Sequence, residues 1–159
     1  MMKLDRTDKR ILQALQANAK MSNQELAERV GLSPSPCLRR VRQLEEAGVI
    51  ERYATLLNRS KLGLKLMALV SISMDRHTPE RFNHFESIIQ SYPEVLECNL
   101  ITGQDADYIL KIVVPDMEFY QEFLLGKLTR IEGVTGVHTS FVLRNIVTKT
   151  AVPLNHLSS

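Results

Sequence analysis

Ser22–Gly48, SNQELAERVGLSPSPCLRRVRQLEEAG, decides the fold. Ser22 followed three residues later by Glu25 is a capping box, the signature of a helix N-terminus. Leu26, Ala27 and Val30 then supply an inward face, and Gly31 ends the helix, as the left-handed position after a C-terminus prefers. A second helix starts immediately. Ser33 is its N-cap, with Pro34 and Pro36 in the first turn, where backbone N–H groups have no partner inside the helix. Leu38, Val41 and Leu44 recur every third position, with Cys37 beside them, and are expected to face the core. The opposite side carries Ser35, Pro36, Arg39, Arg40 and Gln43, with Arg42 on the flank. Two capped helices around a glycine turn, the second bearing arginines, form a helix-turn-helix whose second helix enters a DNA major groove.

Upstream, Asp5 and Asp8 predict another capped helix, with Ile11, Leu12 and Leu15 at helical spacing. Downstream, VIERYATLL (residues 49–57) has strand character and is expected to form a short wing. Asn58 to Gly63, NRSKLG, is polar and ends in glycine, which suits a hinge. Beyond it the pattern changes. Strands are expected at 64–74, 95–102, 106–114 and 137–147. One helix is expected from Thr78 to about Ser91, and another from Asp116 to about Arg130. That order, β-α-β-β-α-β, is ferredoxin-like. The fold class is therefore α+β: a (winged) helix-turn-helix domain over residues 1–57, a hinge at 58–63, and a ferredoxin-like domain over 64–159.

Composition agrees with two globular parts. The 159 residues are 44% hydrophobic and 24% charged, with a net charge of +2. Residues 1–57 hold ten Lys or Arg against seven Asp or Glu, whereas residues 58–159 hold ten against eleven. The excess of positive charge thus sits with the helix-turn-helix, as a polyanion partner requires. The two cysteines, Cys37 and Cys98, have no metal or redox spacing, and the four histidines are scattered, so neither a metal nor a cofactor is expected. No secretion signal or membrane-length apolar run is visible, and a cytoplasmic location without membrane contact is expected. No nucleophile elbow, P-loop or dinucleotide fingerprint appears, so the chain is not expected to be an enzyme. Apolar residues on both faces of the last two strands predict that the face left bare by two helices associates with another copy.

Within the helix-turn-helix, Arg39 and Arg40 are the expected readers of base edges, with Ser35 and Pro36 beside them. Arg42 is assigned to phosphate. Ser22 and Asn23, at the first helix's N-terminus, offer N–H groups to another phosphate, and Ser33 and Gln43 complete the candidate DNA surface.

Four stretches carry a resemblance. They are LDRTDKRILQALQANA (residues 4–19), the segment from Ser22 to Asn58, ECNLITGQDADYILKIVVPDMEFY (97–120) and GVTGVHTSFVLRNIVTKT (133–150). Together they resemble the leucine-responsive and asparagine-operon (Lrp/AsnC) regulators over nearly the whole chain. The resemblance implies a ferredoxin-like effector domain that forms homodimers through its sheets, and further assembly, often to an octamer. It also implies small effectors, usually amino acids, bound between dimers. An effector loop is implied at Thr102, Gly103, Gln104, Asp105, Ala106, Asp107 and Tyr108, although the stretch between Gly103 and Asp107 is one residue longer than the family's Gly-x-x-Asp-Tyr word. Chemically, Asp105 or Asp107 suits an ammonium, and N–H groups around Gly103 suit a carboxylate. Leu100, Ile101 and Tyr108 suit an apolar side chain such as that of leucine or methionine. Residues 134–140 of a neighbouring subunit would complete the pocket. Spacing alone favours an ordinary hairpin turn, in which Gly and Asp are common. The leading expectation is a sequence-specific transcriptional regulator acting on double-stranded DNA and responding to an amino acid. The alternative is an architectural protein that compacts DNA with weak sequence preference.

Overall fold

The computed structural model describes residues 3–103 and 105–157. It divides into two compact units, one of residues 3–56 with 146–157, the other Leu57–Asn145.

The first unit is built on three helices, α1 (Arg6–Ala17), α2 (Asn23–Val30) and α3 (Pro34–Glu46). The α1 capping box is reciprocal. The Asp8 N–H donates to Asp5 Oδ1 at 2.8 Å, and the Asp5 N–H donates to Asp8 Oδ2 at 3.0 Å. Ile11, Leu12, Ala14, Leu26, Ala27, Val30, Cys37, Val41 and Leu44 form one buried core.

On α3 the buried line is Cys37, Val41 and Leu44, and Leu38 is 38% exposed. Every-third spacing drifts around a helix of 3.6 residues per turn, whereas steps of four and three stay on one side. The expectation that Leu38 faces the core is therefore corrected. The strand expected at residues 49–57 is corrected too, since none forms there. The N–H groups of Val49 and Ile50 instead donate to Leu44 O at 2.9 and 3.1 Å, and Ile50 packs against the three-helix core.

The C-terminal segment returns to this unit. Gln16 Nε2 donates to Val152 O at 3.1 Å, and the Val152 N–H donates to Gln16 Oε1 at 2.7 Å. Lys9 Nζ donates to Leu157 O, and Leu154 packs against the helical core. The sequence had grouped this segment with the ferredoxin-like domain.

The second unit contains β1 (Leu66–Met74), α4 (Pro79–Gln90), β2 (Val95–Leu100), β3 (Tyr108–Val114), α5 (Met117–Gly126), a 3-10 turn (Leu128–Arg130) and β4 (Val134–Phe141). The sheet order is β2-β3-β1-β4, and every pairing is antiparallel. This is the ferredoxin-like arrangement. Thr78 and Asp116 cap α4 and α5 through the N–H groups of Arg81 and Phe119. The helices pack Phe85, Ile89, Tyr120 and Phe123 onto Ala68, Val70, Ile72, Met74, Tyr108, Leu110, Ile112 and Val114. Residues 58–63 fold as a turn of this unit, with the Leu62 N–H on Asn58 O and Arg59 held by the carbonyls of Leu64 and Lys65.

The other sheet face is mixed rather than uniformly apolar. Leu69, Ser71 and Ser73 of β1 lie between Ile109 and Lys111 of β3 and Gly136, His138 and Ser140 of β4, and Lys111 pairs with Glu97 at 3.0 Å. β4 ends at Phe141, so Leu143, Ile146 and Val147 do not contribute to either face.

Candidate functional site

The helix-turn-helix surface is assembled by its caps. Ser22 Oγ accepts the Glu25 N–H at 3.2 Å, while the Ser22 N–H donates to Glu25 Oε2 at 2.6 Å. That second bond holds the Glu25 carboxyl below its ordinary range. Gly31 takes φ +71°, outside the range comfortable for a side chain, and the Leu32 N–H closes the helix on Ala27 O at 2.9 Å. The Asn23 amide then bridges to α3, donating to Pro34 O at 2.8 Å. The side chains of Ser22 and Asn23 are thus both engaged, Ser22 in the cap of α2 and Asn23 in the link to α3, and the Ser22 backbone N–H is taken by Glu25.

The outer side of α3 divides the remaining candidates. Ser35, Leu38, Arg39 and Arg42 share one exposed stripe, with Gln43 exposed beside it and Pro36 half-buried. Ser33 is exposed and its side chain makes no capping bond. Neither Arg39 nor Arg42 takes part in an ion pair among the described residues.

Arg40, expected beside Arg39 as a base reader, is engaged within the chain instead. One nitrogen, Nη1, lies 2.7 Å from Asp8 Oδ1 and 2.8 Å from Asp5 Oδ2. Hydrogen bonds to Asp8 and then Asp5 push the guanidinium pKa further up, and the Asp5 carboxyl is held down, first by the Asp8 N–H. Adjacent arginines point about 100° apart on a helix, and here Arg39 is exposed while Arg40, half-buried, turns toward α1.

The second candidate lies at the β2–β3 connection. The Ile101 N–H donates to Asp107 O at 2.9 Å, and the Asp107 N–H reaches Ile72 O at 2.8 Å. Asp107 is the pin of this loop. Its Oδ2 accepts the Met74 N–H at 2.7 Å, and its Oδ1 lies 2.8 Å from His77 Nε2. Each Asp107 oxygen thus already has one partner within the chain, whereas the Asp105 side chain has none among the described residues. Asp105 is exposed, and its carbonyl accepts Ser73 Oγ at 3.3 Å. Thr135 Oγ1 donates to Ser73 O at 3.1 Å, so the start of β4 joins the same network. Gln104 lies outside the described residues.

Tyr108 faces away from the loop tip. It is 1% exposed, stacked on Phe85 with ring centroids 4.6 Å apart, and donates to Glu86 Oε1 at 2.7 Å. Burial and the Glu86 carboxylate raise its phenol pKa. With Leu100, Cys98 and Glu86 it lines a cavity of about 410 Å³ between α4 and β2. Burial, with Glu86 nearby, pushes the Cys98 thiol up to about 11. The eight described effector candidates therefore fall into two places. Ile101, Thr102, Gly103, Asp105, Ala106 and Asp107 lie at the loop, while Leu100 and Tyr108 reach the α4 side. Thr135, within the stretch 134–140 expected to complete the pocket from a neighbouring subunit, joins the loop network of its own chain, as does His77, which lies in none of the quoted stretches. Among the described residues, no cluster of His, Cys, Asp or Glu is arranged for a metal ion, and no helix is long and apolar enough to cross a membrane.

Comparison with known proteins covers both units. Residues 4–51 match the winged helix-turn-helix DNA-binding family, and residues 67–152 match the Lrp/AsnC ligand binding domain. The leucine-responsive regulatory protein of Klebsiella pneumoniae is 45% identical over 143 residues, 90% of this chain and 87% of that protein. Its counterpart in Escherichia coli K12 is 44% identical with the same coverage. The crystal structure of a transcriptional regulator from Neisseria meningitidis in complex with L-Met superposes with a TM-score of 0.93 at 44% identity, covering 98% of this chain and 99% of that one. An AsnC family regulator from Agrobacterium tumefaciens gives 0.92 at 36% identity, covering 98% and 100%.

Proposed function

The chain belongs to the Lrp/AsnC family of transcriptional regulators, and from that premise we propose that its DNA contacts centre on Arg39 and Arg42 and that its effector binds at the β2–β3 loop. It is a sequence-specific DNA-binding transcriptional regulator with an amino-acid-binding domain, and it is not an enzyme.

The exposed arginine stripe on α3 carries the DNA assignment. Arginine grips guanine O6 and N7 with paired hydrogen bonds, or clamps a phosphate. Ser33, Ser35 and Gln43 surround that stripe and supply neutral hydrogen bonds. The N-terminus of α2 contributes positive helix-dipole potential toward a phosphate, now without the Ser22 N–H, which is engaged. The test compares a selected operator with random duplex. Arg39→Ala with Arg42→Ala abolishes specific binding while assembly and melting temperature persist. A wild-type protein that binds both duplexes equally would support the architectural reading instead.

For the effector, the similar Neisseria regulator holds L-Met, and a free amino acid fits the groups at this loop. Asp105 is the acceptor offered to the ammonium, backbone N–H groups around Gly103 meet the carboxylate, and Ile101 lies against the side chain. Methionine and leucine are the first ligands to test. A ligand at a hundred times its Kd raises stability by about 2.7 kcal/mol, so a thermal-shift screen of the twenty amino acids identifies it. No shift with any of them would remove the effector assignment at this loop.

Homodimers formed through the mixed sheet face, assembling further toward an octamer, suit an effector pocket completed by residues 134–140 of a neighbouring copy. The ligand then shifts assembly by its differential affinity for the states. Sedimentation with and without ligand reads that change. Action in the cytoplasm follows from a DNA target.

A further inference from the structure

We propose that Leu38 is a specificity-determining residue, reading the methyl group of a thymine in the major groove. This rests on the DNA-binding assignment above and adds a base that the arginines do not read.

Three observations lead here. The other apolar side chains of α3 are sealed, with Cys37 and Leu44 at 0% and Val41 at 9% exposure, whereas Leu38 stands at 38%. Its position is also specific. Ser35, Leu38, Arg39 and Arg42 follow the spacing i, i+3, i+4, i+7, which places all four on one side of a helix. Leu38 is thus set between a small hydroxyl and two guanidinium groups, in the half of the helix that enters a groove first. Finally, Arg39 and Arg42, which share this stripe with Leu38, take part in no ion pair among the described residues, so the groups that would flank the leucine on a duplex are not engaged elsewhere.

A leucine in that setting has one apolar partner on a duplex. The major-groove edges of G, C and A present only donors and acceptors, and thymine alone adds a methyl. Phosphate and guanine contacts by the flanking arginines would hold the leucine at base-edge depth and exclude water around it. Burial of one methyl against a leucine corresponds to about threefold to tenfold in affinity.

The experiment removes that methyl from the DNA. The full-length protein selects its operator from a random duplex pool. Each thymine of that operator is then replaced singly by deoxyuridine, which keeps every hydrogen-bonding group. One thymine position in each half-site is expected to lose threefold to tenfold with the wild-type protein. Leu38→Ala and Leu38→Gln are expected to bind the unmodified operator weaker by a similar factor and to ignore the replacement. Two variants guard against one failing to fold, and melting temperature checks both. Uniform tolerance of deoxyuridine by the wild type would overturn the proposal, as would a deoxyuridine penalty that persists in both variants. If no operator is enriched at all, the sequence-specific reading fails rather than this assignment.

Discussion

Arg40 and Asp8 meet at 2.7 Å, and the Asp8 side chain is only 6% exposed. The contact joins the second helix of the DNA-reading pair to the capping box of the first helix of the chain. The arginine adjacent to Arg39 thereby links α3 to α1, and on the proposed reading it belongs to the frame that aims Arg39 at the duplex. Asp8 serves both ends of this arrangement, since it also accepts the Asp5 N–H.

Arg40→Ala is expected to destabilise the N-terminal unit by about 1–2 kcal/mol, between the values for exposed and buried ion pairs. Asp8→Asn in the same chain should recover part of that loss, because the carboxylate left without its partner is the larger cost. DNA affinity falls, but its dependence on salt keeps the wild-type slope. A slope smaller by about one would mean that Arg40 releases a counterion and therefore touches phosphate.

Acid should release the same frame. The Asp5 carboxyl is held below its ordinary value of 3.8 by the Asp8 N–H and by Arg40, so the folded chain favours the carboxylate. Stability from this group is complete above the ordinary value and is lost as the pH falls through the lowered one. Asp5→Asn keeps a capping side chain and removes the titration. Urea midpoints for the two proteins should differ by a constant amount well above the ordinary value of 3.8 and converge as the pH falls through the lowered one. A difference that stays constant through the acid range would reject the linkage.

Local signals in the sequence survive folding where they depend only on near neighbours. The capping boxes at Asp5 and Ser22, the left-handed Gly31 and the proline-started α3 are all of this kind. The β-α-β-β-α-β order was legible for the same reason. Features set by distant contacts were not. Leu38 reads as core until the partners of Cys37 are known, and the ion pairs of Arg40 are invisible until α1 is packed beside α3. Asp107 looks like a ligand acceptor because the Met74 N–H that it binds lies 33 residues away. The strand expected at residues 49–57 has the right composition, yet strand pairing requires a neighbour that composition does not reveal.

Gly133→Ala is expected to cost about 1–3 kcal/mol in the ferredoxin-like unit, from strain at positive φ plus a steric clash. Gly133 has φ +97°, and an added Cβ would stand 2.5 Å from Arg81 Cδ and 3.1 Å from Asp75 Oδ1. Arg81 cannot simply move aside, because it bridges Asp75 at 3.0 Å and Glu132 at 2.9 Å. Thermal melting of Gly133→Ala alone and combined with Arg81→Ala separates the two parts. The combination removes the Arg81 clash and leaves the backbone strain and the 3.1 Å approach to Asp75. Equal stability of Gly133→Ala and wild type would show that this turn tolerates a side chain.

Deleting residues 151–159 should loosen α1 although the deletion lies 134 or more residues further along the chain than the end of that helix. The reciprocal pair between the Gln16 amide and the Val152 backbone disappears, and Leu154 leaves the three-helix core. Two exposed hydrogen bonds and a partly buried leucine together correspond to about 1–2 kcal/mol. With two units, a single melting curve does not isolate this change. Hydrogen exchange does, because it reports opening locally. Amides in the last turn of α1 should exchange faster by roughly fivefold to thirtyfold, at 1.4 kcal/mol per factor of ten, while those of β1 and β3 are unchanged. Gln16→Ala should reproduce part of the effect in the full-length chain and add nothing to the truncated one. Faster exchange confined to β4, with α1 unaffected, would show that the segment stabilises the sheet rather than the helices.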